Sequence, residues 1–414
     1  MSEDAQCAGR PANALPVGWR WERLEAVCEY PTGTRNPQDT PQEEFRYVDI
    51  SSVDATRKRI VEARPIAGPQ APSRARMVIR SGDVILSGTR PNLNAVALVP
   101  RDLDNAICST GFCVLRAKPE IDPRYLFHYV QSPSFVGTLS QLVKGALYPA
   151  VTDKQVRAQW IPVPPLEEQR RIAGEIREKF ERIDQARVAA AAQLEAARAL
   201  PAAYLREVFD SPEAQKWPTK ALAETAELLP SKSIATAGDT EVRAITTACL
   251  TEQGFDAGGI KLARMWSADA AESIVRTGEV LIARSNTSEL VGRAATYNGE
   301  LSGVVASDLT VRIMPQQDVL SSEFLGRYLS YLYLTGFWKE RAGGASGSMK
   351  KITRTQILRL KVPVPTTEDQ GRICARLGSQ LNGFKSLAAA IAGEGQAIAT
   401  MQNAILRKVF NGEV

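Results

Sequence analysis

The side chains that could bind a metal ion or act as nucleophiles are few and scattered in this sequence. There are six cysteines and one histidine, His128, and no two cysteines have the Cys-x-x-Cys spacing of a zinc site. Even the closest pair, Cys108 and Cys113, has no histidine nearby. We therefore predict buried or idle thiols in a reducing compartment. His128 follows Phe127 in an apolar helical stretch, so we predict that it packs rather than catalyses.

Motifs that hold cofactors are absent as well. The sequence has no Gly-x-x-x-x-Gly-Lys-Ser/Thr loop for a nucleoside triphosphate and no Gly-x-Gly-x-x-Gly after a predicted strand. Asp122-Pro123-Arg124-Tyr125 is similar to the Asp-Pro-Pro-Tyr element that holds the target amino group in adenine methyltransferases. The arginine at its third position and its place at a helix start favour Asp122 as an N-cap, with Pro123 as the first helical residue. No catalytic residue and no metal site are predicted.

Basic side chains are the remaining candidates for binding. The chain has a net charge of +5; the segments 15–162 and 216–362 have net charges of +4 and +3, and the rest of the chain has a net charge of −2. This excess is a weak indication of a polyanionic partner.

The elements that would position these basic segments are repeated along the chain. PVPPLEEQRRI begins at Pro162 and PVPTTEDQGRI begins at Pro363, 201 residues later. Each opens a pattern of apolar residues in steps of three and four, typical of a coiled-coil seam. Because the two seams share one register, we predict that the helices pair. The predicted seam residues are Ile176, Phe180, Ile183, Leu194, Leu377, Leu381, Phe384, Ile391 and Ile398.

The ends of these helices can also be predicted. The first pattern runs as one helix to Phe209, and Thr367 with Gln370 has the capping-box spacing at the start of the second. Glu167, Glu168, Glu368 and Asp369 add negative charge at the positive helix ends.

Each long helix follows a block with mixed strand and helix patterns. Residues 82–86 and 278–282 both indicate a turn followed by a short buried strand, and each block continues into another strand and a helix. The predicted division is a flexible tail at 1–14, domains at 15–161 and 216–361, a long helix with linker at 162–215 and a second long helix at 362–414.

This order of domain, helix with a PPLEEQ start, domain and helix resembles the specificity (S) subunit of type I restriction-modification systems. The resemblance covers essentially the whole chain after the tail, although Thr366-Thr367 replaces Pro165-Leu166 in the second copy. It implies an α+β fold: two mixed α/β target-recognition domains in a tandem pseudo-repeat, separated by two long helices that form an antiparallel coiled coil. Each domain would recognise one half of a bipartite sequence in double-stranded DNA.

The resemblance also implies that the chemistry belongs to other subunits. Two methyltransferase subunits would bind S-adenosylmethionine and methylate adenine at N6, and restriction subunits that use ATP and Mg²⁺ can join the complex. The chain itself would be a non-enzymatic subunit without a cofactor. We expect no membrane partner and a cytoplasmic location, because no eighteen apolar residues run together.

Phosphate contacts need basic side chains and hydroxyls, and base recognition needs arginine, lysine, asparagine or glutamine. The candidate DNA contacts in the first domain are Arg57, Lys58, Arg59, Arg74, Arg76, Arg90, Asn92, Asn94, Lys144 and Tyr148. Those in the second domain are Arg284, Asn286, Lys339, Arg341, Ser346, Ser348, Lys350 and Lys351. The loops that precede the two long helices are the preferred candidates.

Helix length would set the spacing of the two half-sites. A helix from Glu167 to Leu200 would be about 50 Å long, enough for domains at its ends to reach half-sites about one DNA turn apart. Three alternatives stay open: the specificity subunit of a system with fused methyltransferase and nuclease, a free-standing DNA-modifying enzyme, and a two-domain scaffold that binds proteins.

Overall fold

The computed structural model describes residues 10–11, 14–30, 33–143, 149–234, 238–344 and 349–410. The chain forms two compact units, which are Met1–Ala189 with Glu394–Val414 and Ala190–Gly393. Both units combine small sheets with short helices. Each also contains one part of both long helices.

The elements of unit 1 alternate short strands with short helices before the first long helix. Its strands are β1 (Arg20–Arg23), β2 (Cys28–Glu29), β3 (Glu44–Val48), β4 (Val53–Asp54), β5 (Arg59–Ile60), β6 (Arg64–Ala67), β7 (Ala75–Val78), β8 (Val84–Ser87), β9 (Val96–Leu98), β10 (Ile107–Ser109), β11 (Phe112–Ala117) and β12 (Trp160–Val163). Its helices are α1 (Leu24–Val27), α2 (Pro123–Tyr129), α3 (Pro133–Gln141), α4 (Asp153–Arg157) and the long α5 (Leu166–Arg198), whose end lies in unit 2.

Two four-stranded sheets form the body of unit 1, with strand orders β2-β11-β8-β9 and β6-β3-β10-β7. The apolar strand β8 is buried on both faces because successive side chains of a strand point to opposite sides. Val84 and Leu86 pack in the cluster that contains α2, and Ile85 packs in the cluster shared with the other sheet. The first sheet therefore lies between the helices and the second sheet.

Unit 2 repeats this arrangement. Its strands are β13 (Thr219–Ala221), β14 (Ala226–Leu229), β15 (Thr240–Ile245), β16 (Leu250–Thr251), β17 (Gly254–Phe255), β18 (Lys261–Met265), β19 (Val280–Ala283), β20 (Ser285–Asn286), β21 (Ala294–Thr296), β22 (Val304–Ala306), β23 (Thr310–Pro315), β24 (Lys350–Lys351) and β25 (Lys361–Pro363). Its helices are α6 (Leu200–Phe209), α7 (Ser267–Ser273), α8 (Ser322–Leu334), α9 (Phe337–Arg341), α10 (Arg354–Leu358) and α11 (Thr367–Phe410), whose last part lies in unit 1.

Strand β19 is the counterpart of β8. It belongs to the sheet β14-β23-β19-β21, and all four of its residues are buried. Val280 and Ile282 pack in the cluster that contains α8, whereas Leu281 packs with residues of the sheet β18-β15-β22. The fold is thus α+β, with two mixed domains in tandem and a long helix after each.

Each unit contains an ion pair between a buried acidic residue, which follows the turn glycine, and an arginine on the neighbouring strand. In unit 1, Arg116 donates to both carboxylate oxygens of Asp83, at 2.8 and 2.9 Å. In unit 2, Arg312 donates to both carboxylate oxygens of Glu279, at 2.7 and 2.8 Å. The acidic residue of the Gly-Asp/Glu-Val turn is therefore structural, because a buried carboxylate needs such a partner.

The long helices pack antiparallel. In unit 2, Ala197 clusters with Phe384 and Ile391, while Leu205 and Phe209 further along the chain cluster with Ile373 and Leu377. In unit 1, the start of α5 clusters with the end of α11. Every predicted seam residue is buried or half-buried; the buried ones are Ile176, Ile183, Leu377, Leu381, Phe384, Ile391 and Ile398. The ring of Phe410 also contacts the rings of Tyr125 and Tyr129 on α2.

The repeated glutamine of the PPLEEQ motif joins the long helix to a short helix of the domain before it. Gln169 is fully buried; it accepts a hydrogen bond from the Asp122 N–H at 2.9 Å and donates to the carbonyls of Glu120 and Pro164. Gln370 makes the same three bonds, from the Ser321 N–H and to the carbonyls of Val319 and Pro365. We call these two sets of bonds the glutamine clasps. Because they fix α5 to α2 and α11 to α8, they orient each domain on its own helix.

Two details differ from the sequence prediction. The helical pattern up to Phe209 is interrupted at Ala199, because Pro201 has no N–H to donate and its ring crowds the preceding turn. The cap of α11 is Thr366 rather than Thr367: the Thr366 hydroxyl accepts from the Asp369 N–H at 3.1 Å, and Thr367 is the first helical residue. Gln370 serves the clasp instead of a capping box. The predicted cap Asp122 is confirmed, since it accepts from the N–H groups of Arg124 and Tyr125.

Candidate nucleic-acid interface

In unit 1, the loop that follows the buried strand β8 carries three predicted contact residues. Arg90 and Asn94 flank a single 3-10 turn, Pro91–Leu93, and both have left-handed backbones, with φ of +49° and +47°. The Arg90 and Asn92 side chains are exposed, while Asn94 is buried. The loop therefore projects polar groups outward from a turn of defined shape.

This loop meets the segment that precedes α4. The Arg90 N–H donates to the Pro149 carbonyl at 2.8 Å, the Val151 N–H donates to the Gly88 carbonyl, and Thr89 pairs with Ala150. Two predicted contacts of this segment, Lys144 and Tyr148, lie outside the described residues. In unit 1, the loop after β8 and the described part of the segment before α4 therefore lie side by side.

The hairpin between β4 and β5 joins the same surface. Arg57 and Arg59 are exposed, and Arg57 lies 3.8 Å from the Asp54 carboxylate. Lys58 differs: its ammonium donates to the Asn94 carbonyl at 2.5 Å, and burial lowers its pKa to about 8. The hairpin is therefore fastened to the β8–β9 loop by Lys58.

Two other predicted residues of unit 1 lie in a different sheet. Arg76 lies on β7, an edge strand of the sheet β6-β3-β10-β7, and Arg74 immediately precedes that strand. Arg74 is exposed, and the half-buried Arg76 donates to the Ala75 carbonyl. The loops above are attached to the other sheet, so these two arginines form a separate part of the candidate surface.

In unit 2, strands β20 and β24 bring together four predicted residues. Asn286 pairs with Lys350 and Ser285 pairs with Lys351, and the Ile352 N–H donates to the Arg284 carbonyl at 2.8 Å. Asn286 also donates from its amide to the Thr247 hydroxyl, at 3.0 Å. Ser346 and Ser348 lie outside the described residues. The same pairing occurs in unit 1: the loop after the buried strand pairs with a second segment. This segment lies just before the short helix α4 in unit 1 and just before α10 in unit 2.

Helix α9 presents the remaining pair, Lys339 and Arg341, both exposed. Lys339 forms an ion pair with Glu289 at 2.9 Å, which holds the pKa of that carboxyl below its usual value. Arg341 lies over the Phe337 ring, 4.1 Å from its centroid. Arg341 also forms an ion pair with Glu340, at 3.3 Å. A phosphate would therefore compete with a carboxylate at Lys339 and at Arg341.

Sequence reasoning missed two apolar residues of these loops. Leu93 at the tip of the unit 1 turn is 55% exposed, and Met349 beside β24 is 49% exposed. Only their position between predicted polar contacts could have indicated them. Thr247, which holds the Asn286 amide, was also missed because it lies far away in sequence.

The groups that could suggest catalysis have structural roles. The carboxylates of Asp83 and Glu279 form ion pairs with arginines, and the Asp122 carboxylate caps α2. Within the described ranges, no group of histidine, cysteine and acidic residues has a metal-binding arrangement. Nor does any helix there have the length and apolarity needed to cross a membrane.

The burial of the described cysteines and the packing of His128 agree with the sequence prediction. All five cysteines of the described residues are free and buried, and burial raises the pKa of Cys28 and Cys108 to about 12. Cys7 lies outside these residues. His128 is 6% exposed and packs its ring edge-on against Phe180, and burial lowers its pKa to about 4.

The fold is a tandem repeat of two mixed domains, and each domain pairs the loop after its buried strand with the segment before its last short helix. Residues 16–193 match the family described as the type I restriction modification DNA specificity domain. A solved chain from a structural study of complex assembly and conformational transition in the type I R-M system is 35% identical; the match covers 97% of this chain and 100% of that one, with a TM-score of 0.80.

Two further relatives are similar. The HsdS subunit from Thermoanaerobacter tengcongensis is 33% identical over 97% of this chain and 99% of its own, with a TM-score of 0.66. The specificity subunit of the type I restriction enzyme EcoDI from Escherichia coli is 23% identical over 167 residues, which is 40% of this chain and 36% of that relative. The chain belongs to the specificity (S) subunits of type I restriction-modification systems.

Proposed function

We propose that the two mixed α/β domains each recognise one half of a bipartite sequence in double-stranded DNA. The observation that carries this proposal is the repeated pairing of two loops, 87–94 with 149–151 in unit 1 and 284–286 with 350–352 in unit 2. Basic and amide side chains occur on both surfaces, and such groups suit phosphates and the base edges of the major groove. Because the corresponding loops pair in both domains, each domain has a surface that could bind one half-site of the DNA.

The chain directs chemistry that other subunits perform. Two methyltransferase subunits carry S-adenosylmethionine and methylate adenine at N6, and restriction subunits with ATP and Mg²⁺ act on the same complex. The structural roles of Asp83, Glu279 and Asp122 support a subunit that supplies no catalytic group. The purified chain should therefore lack methyltransferase and ATPase activity and should support methylation only together with its partner.

Methylome sequencing of cells that carry this gene and its partner tests the proposal directly. We expect one bipartite methylated sequence that disappears when the gene is deleted. Exchange of residues 15–160 for the corresponding domain of another family member should change one half of that sequence and leave the other half intact. A change in both halves would contradict independent recognition by the two domains. Absence of salt-dependent duplex binding by the complex would instead favour a protein-binding scaffold.

A further inference from the structure

Lys58 is placed differently from the other basic residues of the unit 1 surface. Its neighbours Arg57 and Arg59 are exposed, but the Lys58 side chain turns inward and its ammonium donates to the backbone carbonyl of Asn94 at 2.5 Å. Its own backbone is left-handed, with φ of +52°, and its N–H donates to the Asp54 carbonyl. A surface lysine that only attracts phosphate needs neither feature.

The Asn94 carbonyl that Lys58 contacts belongs to a turn with an unfavourable backbone. Four described non-glycine residues have a positive φ, and three of them are Lys58, Arg90 and Asn94. Side chains disfavour this region, so such a conformation persists only when its surroundings hold it. Clusters of this kind occur where a site is held in its working shape before the ligand arrives.

Several hydrogen bonds within the turn and to neighbouring residues stabilise its conformation. The Leu93 N–H donates to the Arg90 carbonyl and the Asn94 N–H donates to the Pro91 carbonyl. The buried Asn94 side chain donates to the Gln131 carbonyl at 3.3 Å, while its carbonyl receives the Lys58 ammonium. The side chains that remain exposed are Arg90, Asn92 and Leu93. The exposed members include the residue types that read base edges, and the Lys58 ammonium bonds to the backbone at the end of the same turn.

We propose that Lys58 is a positioning residue: through the Asn94 carbonyl it holds the turn of Arg90, Asn92 and Leu93 in the conformation that recognises the first half-site, and it does not contact phosphate. This inference rests on the proposed DNA recognition and makes it more specific. Partial burial lowers the pKa of Lys58, and the negative charge of Asp54 opposes this shift.

Salt dependence separates a positioning lysine from a phosphate contact. Each phosphate contact adds about 0.9 to the slope of log K against log salt, because neutralised phosphates release counterions. In Lys58→Met the charge and the hydrogen bond are removed but the apolar stem is kept. We expect affinity for the cognate duplex to fall about tenfold, because the turn would then have to be ordered on binding. Affinity for a duplex with a scrambled first half-site, and the salt slope, should stay unchanged.

Lys118→Met is the matched control, because the Lys118 ammonium also donates to a backbone carbonyl, that of Ala26, at 2.6 Å. It should leave the preference for the first half-site unchanged. The full chain with its methyltransferase partner is used throughout, and the probes are duplexes with the sequence from the methylome and with either half-site scrambled. An equal loss on all duplexes with a slope lowered by about 0.9 would overturn the proposal, as would an unchanged cognate affinity.

Lysine labelling of the wild-type complex gives a second test that no folding defect can affect. Acetylation followed by mass spectrometry should show the same extent of labelling at Lys58 with and without DNA. The exposed Lys339 and Lys351 should react in the free complex. Rapid labelling of free Lys58 with protection only on DNA would identify a phosphate contact and overturn the positioning role. If the wild-type complex binds no duplex at all, the proposed function itself fails, which is a different result from a wild-type-like Lys58→Met.

Discussion

Replacement of Gln169 by glutamate tests whether the glutamine clasp fixes a recognition domain to its helix. Glutamate has the same size, so no cavity is created and only the hydrogen-bonding groups change. The carboxylate can still accept from the Asp122 N–H, but it cannot donate to the carbonyls of Glu120 and Pro164. Two carbonyl oxygens then face a negative charge inside a fully buried site.

Each buried group left without its partner costs about 1–3 kcal/mol, so two lost bonds should lower the free energy of unfolding by about 2–6 kcal/mol. Burial of the new charge adds to this loss and raises the pKa of the new carboxyl. A protonated carboxyl donates one hydrogen bond again. The deficit should therefore shrink as the pH is lowered from 8 to about 5.

Urea denaturation followed by circular dichroism measures the difference, with Gln185→Glu as the matched control on the exposed face of α5. Gln370→Glu should show an equal defect in unit 2, because its three bonds are the same. A Gln169→Glu protein within about 0.5 kcal/mol of the Gln185→Glu protein would refute this account of the motif, because surface substitutions fall in that range.

Three further predictions concern other parts of the chain. Asp83→Ala leaves the half-buried Arg116 without its carboxylate and should cost about 1–3 kcal/mol in urea denaturation, while Asp83→Leu combined with Arg116→Met should recover at least half of the loss. Burial lowers the pKa of His128 to about 4 in the folded chain, against about 6.5 in the unfolded chain. Between these pH values the unfolded state binds the extra proton, so the free energy of unfolding falls as the pH drops. Relative to His128→Phe, the wild type should lose about 2 kcal/mol of this free energy between pH 7.5 and 5. An equal loss in both proteins would exclude this role of the single histidine. Insertion of one heptad into each long helix, about 10.5 Å, should lengthen the preferred gap between half-sites by about three base pairs in footprinting, and an unchanged gap would rule out helix length as its cause.

Much of the fold could be predicted because its helix patterns are local features of the sequence and occur in two copies. The seam from Ile176 to Ile398 follows from periodicity alone, and the repeat at a fixed offset showed that two helices share one register. Asp122 was recognisable as a cap from its type and the proline after it. The predictions failed where one residue competes with its neighbour, as for Thr366 and Thr367, or where a single proline interrupts a long pattern.

The roles of Gln169, Asp83 and Lys58 could not be predicted in the same way. Each is a polar residue of ordinary type, and its partner lies 47, 33 or 36 positions away along the chain. Among the candidate contacts, type and charge gave no means to separate the inward Lys58 from the outward Arg57 and Arg59. That distinction depends on which backbone carbonyl lies within reach after folding.

The sequence by itself determined the tandem architecture, the pairing of the long helices and the family, because spacing and repetition are one-dimensional properties. Tertiary structure alone decided that the glutamine of the PPLEEQ start is a clasp, that the acid of the Gly-Asp/Glu-Val turn is the buried half of an ion pair, and that two distant loops share one surface in each unit. The physical reason is that hydrogen bonds and ion pairs act over about 3 Å in space. Only the folded chain brings such groups within that distance.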